Sequence, residues 1–130
     1  MIAAGGIANG ADIKRMLDAG AAGVQMGSRF VATQECSAPD AFKQMYVAAN
    51  EDDIIITKSP VGLPGRAIVN PLTERIARGD YPEIERCRAC LKECGKEYCI
   101  VDALERAQRG DVTSGLVFAG MSAAQVHDIP

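Results

Sequence analysis

The chain has 130 residues, with 14 Lys and Arg against 17 Asp and Glu, a net charge of −3 and a pI near 5.1. That balance offers no basic surface for a phosphodiester backbone, and with no Trp and few aromatics there is no platform for stacking bases, so nucleic acid is not an expected partner. Hydrophobic residues make up 48% of the chain, enough for a packed core, yet no apolar run approaches the roughly 20 residues of a membrane span, so a membrane is not an expected partner either.

The first thirty residues read MIAAGGIANGADIKRMLDAGAAGVQMGSRF. Met1 to Ala4 predicts a strand ending in the pair Gly5-Gly6. A helix follows from about Ala11 to Ala19. Gly23 to Met26 predicts a second strand, ending in Gly27-Ser28. Strand, helix and strand make one βαβ unit with a side-chain-poor turn after each strand. Such turns let an anion approach backbone N–H groups closely, and a following helix start adds its dipole. Gly5 and Gly6 form one wall of a candidate phosphate cup. Gln25, Met26, Gly27 and Ser28 form the other, with the Ser28 hydroxyl as a further donor. The alternative is that these are ordinary turn and cap glycines. Neither GxGxxG nor GxxxxGK[ST] occurs. Met1 leads directly into the strand, with no charged and apolar leader, so the expected location is the cytoplasm.

Arg29 to Gln34 is expected to leave the second strand and cross over its end. Ser37 or Asp40 is expected to cap a helix running to about Ala49, with Pro39 in its first turn. Phe42, Met45, Tyr46 and Ala49 fall at helical spacing and predict its core face. Asn50 to Asp53 reads as a polar turn. Ile54 to Thr57 is β-branched and predicts a strand. KSPVGLPG is a stiff loop bracketed by Lys58 and Arg66, and Arg66 to Val69 predicts a returning strand, hence a hairpin. The two cations suit a loop that closes over a ligand, or simply an exposed hairpin, and neither is given a catalytic role. Asn70 is expected to cap a helix with Pro71 at its first position and Glu74 near the capping-box position, closed by Gly79. Tyr98 to Gln108 predicts an amphipathic helix with Ile100, Val101, Leu104 and Ala107 on its apolar face, closed by Gly110. Leu116 to Ala119 is a short apolar run, and Ser122 is expected to cap a last short helix.

Cys87, Cys90, Cys94 and Cys99 lie close together in sequence. Zinc and iron–sulfur clusters are held by thiolates, but their ligand pairs are usually separated by a loop. Here the first three thiols are expected on one helix face, packing the structure as small hydrophobes, with metal binding as the alternative. Cys36 is isolated and is expected to pack. The one histidine, His127, sits in the tail and is expected to be solvated, and Asp52-Asp53 and Glu83/Glu85 read as solvated charge. No nucleophile–base pair and no HExxH appears, so no catalytic residue is assigned.

AAGGIANGADI followed by GVQMGSRFVAT resembles the last two strands of the flavin-dependent nitronate monooxygenases, formerly 2-nitropropane dioxygenases. KSPVGLPGRAIVNP, CLKEC, YCIVDAL and GDVTSGLVFAG resemble the same family's C-terminal segment, so the likeness runs along nearly the whole chain. The related FMN-dependent enoyl-acyl-carrier-protein reductases share the architecture. The resemblance implies an α/β fold, the C-terminal portion of a TIM (β/α)₈ barrel. Residues 1–50 would be its last βα units, with the FMN phosphate held after strands seven and eight. Residues 51–130 would be an appended, mostly helical cap with a short hairpin and cysteine-rich helices. A whole barrel takes roughly 250 residues, so this chain is expected to be part of one. The implied cofactor is FMN and the implied substrate a small nitronate or enoyl thioester. The exposed edges of a partial barrel imply self-association. The family commonly has threonine where Ser28 stands, is not typically metal-binding, and draws its presumed general base from a histidine upstream of this segment, to which His127 does not correspond.

Overall fold

The computed structural model describes residues 1–130. The chain opens with β1 (Ile2–Ala4), α1 (Gly10–Asp18) and β2 (Gly23–Gln25). β1 and β2 pair in parallel, Ile2 opposite Gly23 and Ala4 opposite Gln25. Asn9 starts α1 from extended backbone, its side chain accepting the Asp12 N–H. Four further helices follow: α2 (Ser28–Val31), α3 (Asp40–Ala48), α4 (Pro71–Ala77) and α5 (Ile100–Gln108). Between α3 and α4 lies a hairpin of β3 (Ile54–Thr57) and β4 (Gly65–Ile68), antiparallel with Ile54 opposite Ile68. The apolar run at Leu116–Ala119 extends this sheet: Phe118 bridges Ala67, the Ile68 N–H donates to Val117, and the Ala119 N–H donates to Arg66. No helix is long and apolar enough to cross a membrane.

Two cores hold the fold. The larger draws together Ala32, Tyr46, Ile54, Ile68, Val117 and Val126, and so spans both sides of residue 50. The smaller packs Leu72, Ile76, Tyr98, Ala103 and Leu116 between α4, α5 and the hairpin sheet. Each fully buried aliphatic contributes about 1.5–3 kcal/mol over its exposed state. The βαβ unit supplies no residue to either core. Met1 and Ile2 are 100% and 68% exposed, on an edge of a parallel sheet. Parallel sheets ordinarily have both faces covered, so this unit presents apolar surface with nothing packed on it.

Several local expectations are corrected. Residues 28–31, given no helix or strand from the sequence, form a helical turn, because Gly27 accepts the Phe30 and Val31 N–H groups. Pro39 starts α3 with no side-chain cap, so neither Ser37 nor Asp40 serves there. The capping box of α4 pairs Asn70 with Thr73, not Glu74, since the third helical position is Thr73. On α5 the buried residues are Ala103 and Ala107, while Leu104 is 39% exposed. The last short helix, Met121–Gln125, is 3₁₀ and begins at Gly120 without a side-chain cap. The largest difference is at residues 80–99, where no helix forms. Cys87 and Cys90 are exposed and Cys94 and Cys99 half-buried, so the first pair does not pack as small hydrophobes. A helix there would have had almost no apolar face to bury, and isolated helical turns are unstable without one. The segment after residue 50 is therefore less helical than expected.

Candidate functional site

The site begins where the paired strands end. Ala4 and Gln25 are the last partners of the parallel ladder, so the two glycine-bearing turns leave neighbouring strands at the same level. Parallel strands lie roughly 4.8 Å apart, which places the turns side by side. Gly5 and Gly6 have φ of +83° and +67°. A Cβ on either would meet nothing within 4 Å, so the left-handed backbone rather than crowding calls for glycine. The N–H groups of Gly5, Gly6, Gly27 and Ser28 make no hydrogen bond within the chain.

The first turn is pinned from behind. Asp12, 8% exposed, accepts the Ala8 N–H at 3.0 Å and pairs with Arg15 at 2.9 Å. The Ala8 N–H, and then Arg15, hold the Asp12 carboxyl below its usual range. Nothing in the sequence reading gave Asp12 this role. Its signal was present: an acid three residues after a capping Asn, in the first turn of a helix.

The second turn opens into a hollow of about 540 Å³, lined among others by Gly27, Ser28, Gly65, Arg66, Phe118 and Gly120. Four separate segments meet there, Tyr46 of α3 being the fourth. Arg66 is the one charged side chain lining it, and its guanidinium has no carboxylate partner. Gly65 is required by its neighbour, because a Cβ would overlap the Phe118 ring. The Phe118 carbonyl accepts the Tyr46 hydroxyl, fixing the strand that carries the ring. Burial of Tyr46 pushes its pKa up to about 12.

The other cation bracketing the loop is already engaged. Lys58 pairs with Glu97 at 2.9 Å and reaches the Tyr81 hydroxyl at 3.5 Å. It lines a different hollow, of about 520 Å³, between the Lys58–Pro64 loop and residues 93–97. So Gly27, Ser28 and Arg66 come together, Gly5 and Gly6 stand in the turn after the neighbouring strand, and Lys58 does not join them. Gln25 is exposed and Met26 half-buried beside the turn. His127 is exposed in the tail. No three His, Cys, Asp or Glu side chains are placed to hold a metal ion.

These features suit a dianionic phosphate: free backbone donors, an unpaired guanidinium and no carboxylate in the hollow. The flavin phosphate therefore fits the residues present.

A sequence model of the family described as Nitronate monooxygenase matches residues 1–130. Among curated proteins, the chain is 36% identical over 96 residues to a Mycobacterium tuberculosis protein named (3aS,4S,5R,7aS)-5-hydroxy-7a-methyl-1-oxo-octahydro-1H-indene-4-carboxyl-CoA dehydrogenase, covering 74% of this chain and 26% of that one. It is 35% identical over 85 residues to a probable nitronate monooxygenase of Staphylococcus aureus, covering 64% of this chain and 24% of that one. The chain thus spans about a quarter of the length of the curated relatives it matches. Among solved structures it is similar to FabK from Thermotoga maritima, with a TM-score of 0.76 and 32% identity over 98% of this chain and 39% of that one. It is also similar to nitroalkane oxidase from Streptomyces ansochromogenes, with a TM-score of 0.67 and 27% identity over 99% of this chain and 35% of that one.

Proposed function

The chain belongs to the nitronate monooxygenase family, and from that premise we propose that it is the last two βα units and the C-terminal cap of an FMN-binding TIM barrel. Residues 1–50 supply the two turns that hold the cofactor's phosphate, and residues 51–130 brace them and add Arg66. The observation that carries this reading is the pair of turns after β1 and β2, level with each other and with four free amides, the second of them sharing a hollow with the unpaired Arg66. Gly5 and Gly6 form one wall and Gly27 and Ser28 the other, with Gln25 and Met26 setting the approach. Arg66 supplies charge that backbone dipoles alone do not. Phe118 and Gly120 line the far side of this open hollow. When bound, FMN supplies reversible electron transfer between substrate and acceptor.

The reaction we assign to the whole protein is oxidation of an alkyl nitronate with oxygen, giving a carbonyl compound and nitrite. No residue of this chain is placed to move the substrate proton: His127 is exposed and remote in sequence from the turns. The chain alone is accordingly inactive, and nitronate turnover above a flavin-only blank would refute that. A second reading, NAD(P)H-dependent reduction of an enoyl thioester, is favoured by the likeness to FabK and by the CoA thioester in the M. tuberculosis relative's name. Assay of the whole protein with NADH and a crotonyl thioester, against a nitronate with oxygen, separates the two. The exposed edge of β1 supports self-association of the chain when it is studied alone, read out by light scattering. The cytoplasm is the setting that suits its five unpaired thiols.

A further inference from the structure

The cysteine-bearing coil is a separate matter from the flavin turns. Residues 80–99 contain no helix or strand, yet they carry four of the five cysteines. Coils of this length inside a compact fold are uncommon unless they bind something or are held by a staple. Free cysteine is among the most buried residue types, so exposed Cys87 and Cys90 are unusual as mere packing.

The coil is already folded back on itself. Arg88, next to Cys87, reaches Asp102 at 2.9 Å and Glu105 at 2.8 Å, on the first turns of α5. Cys99 is the N-cap of that helix and donates and accepts no capping bond through its side chain. The Arg88 guanidinium thus bridges both carboxylates at the start of α5. The start and end of the cysteine run therefore lie against the same helix end. Between them, the Lys96 N–H donates to the Cys94 sulfur at 3.4 Å. An amide aimed at sulfur is the outer contact that orients a thiolate on a metal. The two non-glycine residues with left-handed backbone are Ala89, between Cys87 and Cys90, and Lys96, just past Cys94. Left-handed backbone outside glycine is thus confined to the neighbourhood of the thiols.

We propose that Cys87, Cys90, Cys94 and Cys99 bind one zinc ion as four thiolates, and that the ion organises the coil over α5. In this structure no three of the sulfurs surround one point. Closing them breaks no ladder or helix between Gly79 and Ile100, and turns on the stretch from Cys87 to Cys94, since Gly95, Glu97 and Tyr98 are tied to the Lys58–Pro60 loop. Coupling of binding to local folding is the usual behaviour of such sites. Zinc has no redox chemistry, and four closed ligands leave no open position, so the role is structural.

The test uses the full chain, purified with zinc and a non-thiol, non-chelating reductant. Emission spectrometry is expected to find one zinc per chain. In the native protein at most Cys36 reacts readily with a thiol reagent, and a chelator releases four more thiols. Cys36→Ser retains the metal and Cys90→Ser loses it. Should Cys90→Ser fail to fold, cobalt added to the metal-free wild type decides: an intense sulfur-to-cobalt charge-transfer band is expected, and its absence overturns the site. Five readily reactive thiols without chelator, or four that only a reductant returns, would equally overturn it, the latter because the thiols would then be disulfides.

Discussion

Asn70 joins the hairpin, α4 and the strand carrying Phe118, and its replacement gives a worked expectation. Its Oδ1 accepts the Thr73 N–H at 2.9 Å, and its Nδ2 donates to the carbonyls of Val112 and Gly115, both at 2.7 Å. The residue is 7% exposed and Thr73 is fully buried. Asn70→Ala removes the cap, worth about 1 kcal/mol. It also leaves two carbonyls without their donor, at about 1 kcal/mol each. The expected loss is roughly 3 kcal/mol, a large part of the typical 5–15 kcal/mol of a domain, and lowers Tm by about 10 °C. Asn70→Ser keeps the cap and loses only the two donors, so it should cost about 2 kcal/mol. Asn70→Asp keeps the acceptor but sets a carboxylate against two carbonyl oxygens, and should be no better than Ala. Urea unfolding followed by circular dichroism gives the three values. An Ala variant within about 1 kcal/mol of wild type, or a Ser variant no better than Ala, would refute the assignment of those bonds.

Two further outcomes follow from the same packing. Gly65→Ala pushes the Phe118 ring aside, with an expected cost of about 1–3 kcal/mol and weaker flavin retention, read by unfolding and by flavin fluorescence; a neutral result would mean the ring moves freely. Tyr46 and Tyr98 both have pKa values raised from 10 to about 12, chiefly by burial. For such acids the stabilisation is full below pH 10 and fades as pH rises toward 12, so alkaline unfolding should coincide with tyrosinate absorbance, and Tyr46→Phe should blunt it.

The sequence made the βαβ unit readable because its apolar runs, glycine pairs and helix spacing all agree locally. The hairpin was equally clear, from three consecutive isoleucines and a stiff loop. What the sequence hid depends on distance along the chain. Nothing in the residues near Arg66 tells that it faces Gly27 and Ser28 while Lys58 turns away to Glu97. On α5, Ala107 and Ile100 do face the cores, but Leu104 was misplaced and Ala103 missed, because the close approach of Leu116, whose N–H donates to the Ala103 carbonyl, favours the smaller residue. Cys87, Cys90 and Cys94 have helical spacing, but spacing without an apolar face does not make a helix. The capping residue of α4 was found and its partner missed by one position, which is the ordinary uncertainty of a helix start.

The central claim is that this chain grips a phosphate through two turns and one guanidinium. The direct measurement is the affinity of the chain for FMN against riboflavin, which lacks the phosphate, by titration of flavin fluorescence. Two charge-assisted contacts predict FMN to bind at least tenfold more tightly, with Arg66→Gln narrowing the ratio and leaving riboflavin unchanged. Equal affinities for the two flavins, in the wild type, would contradict it.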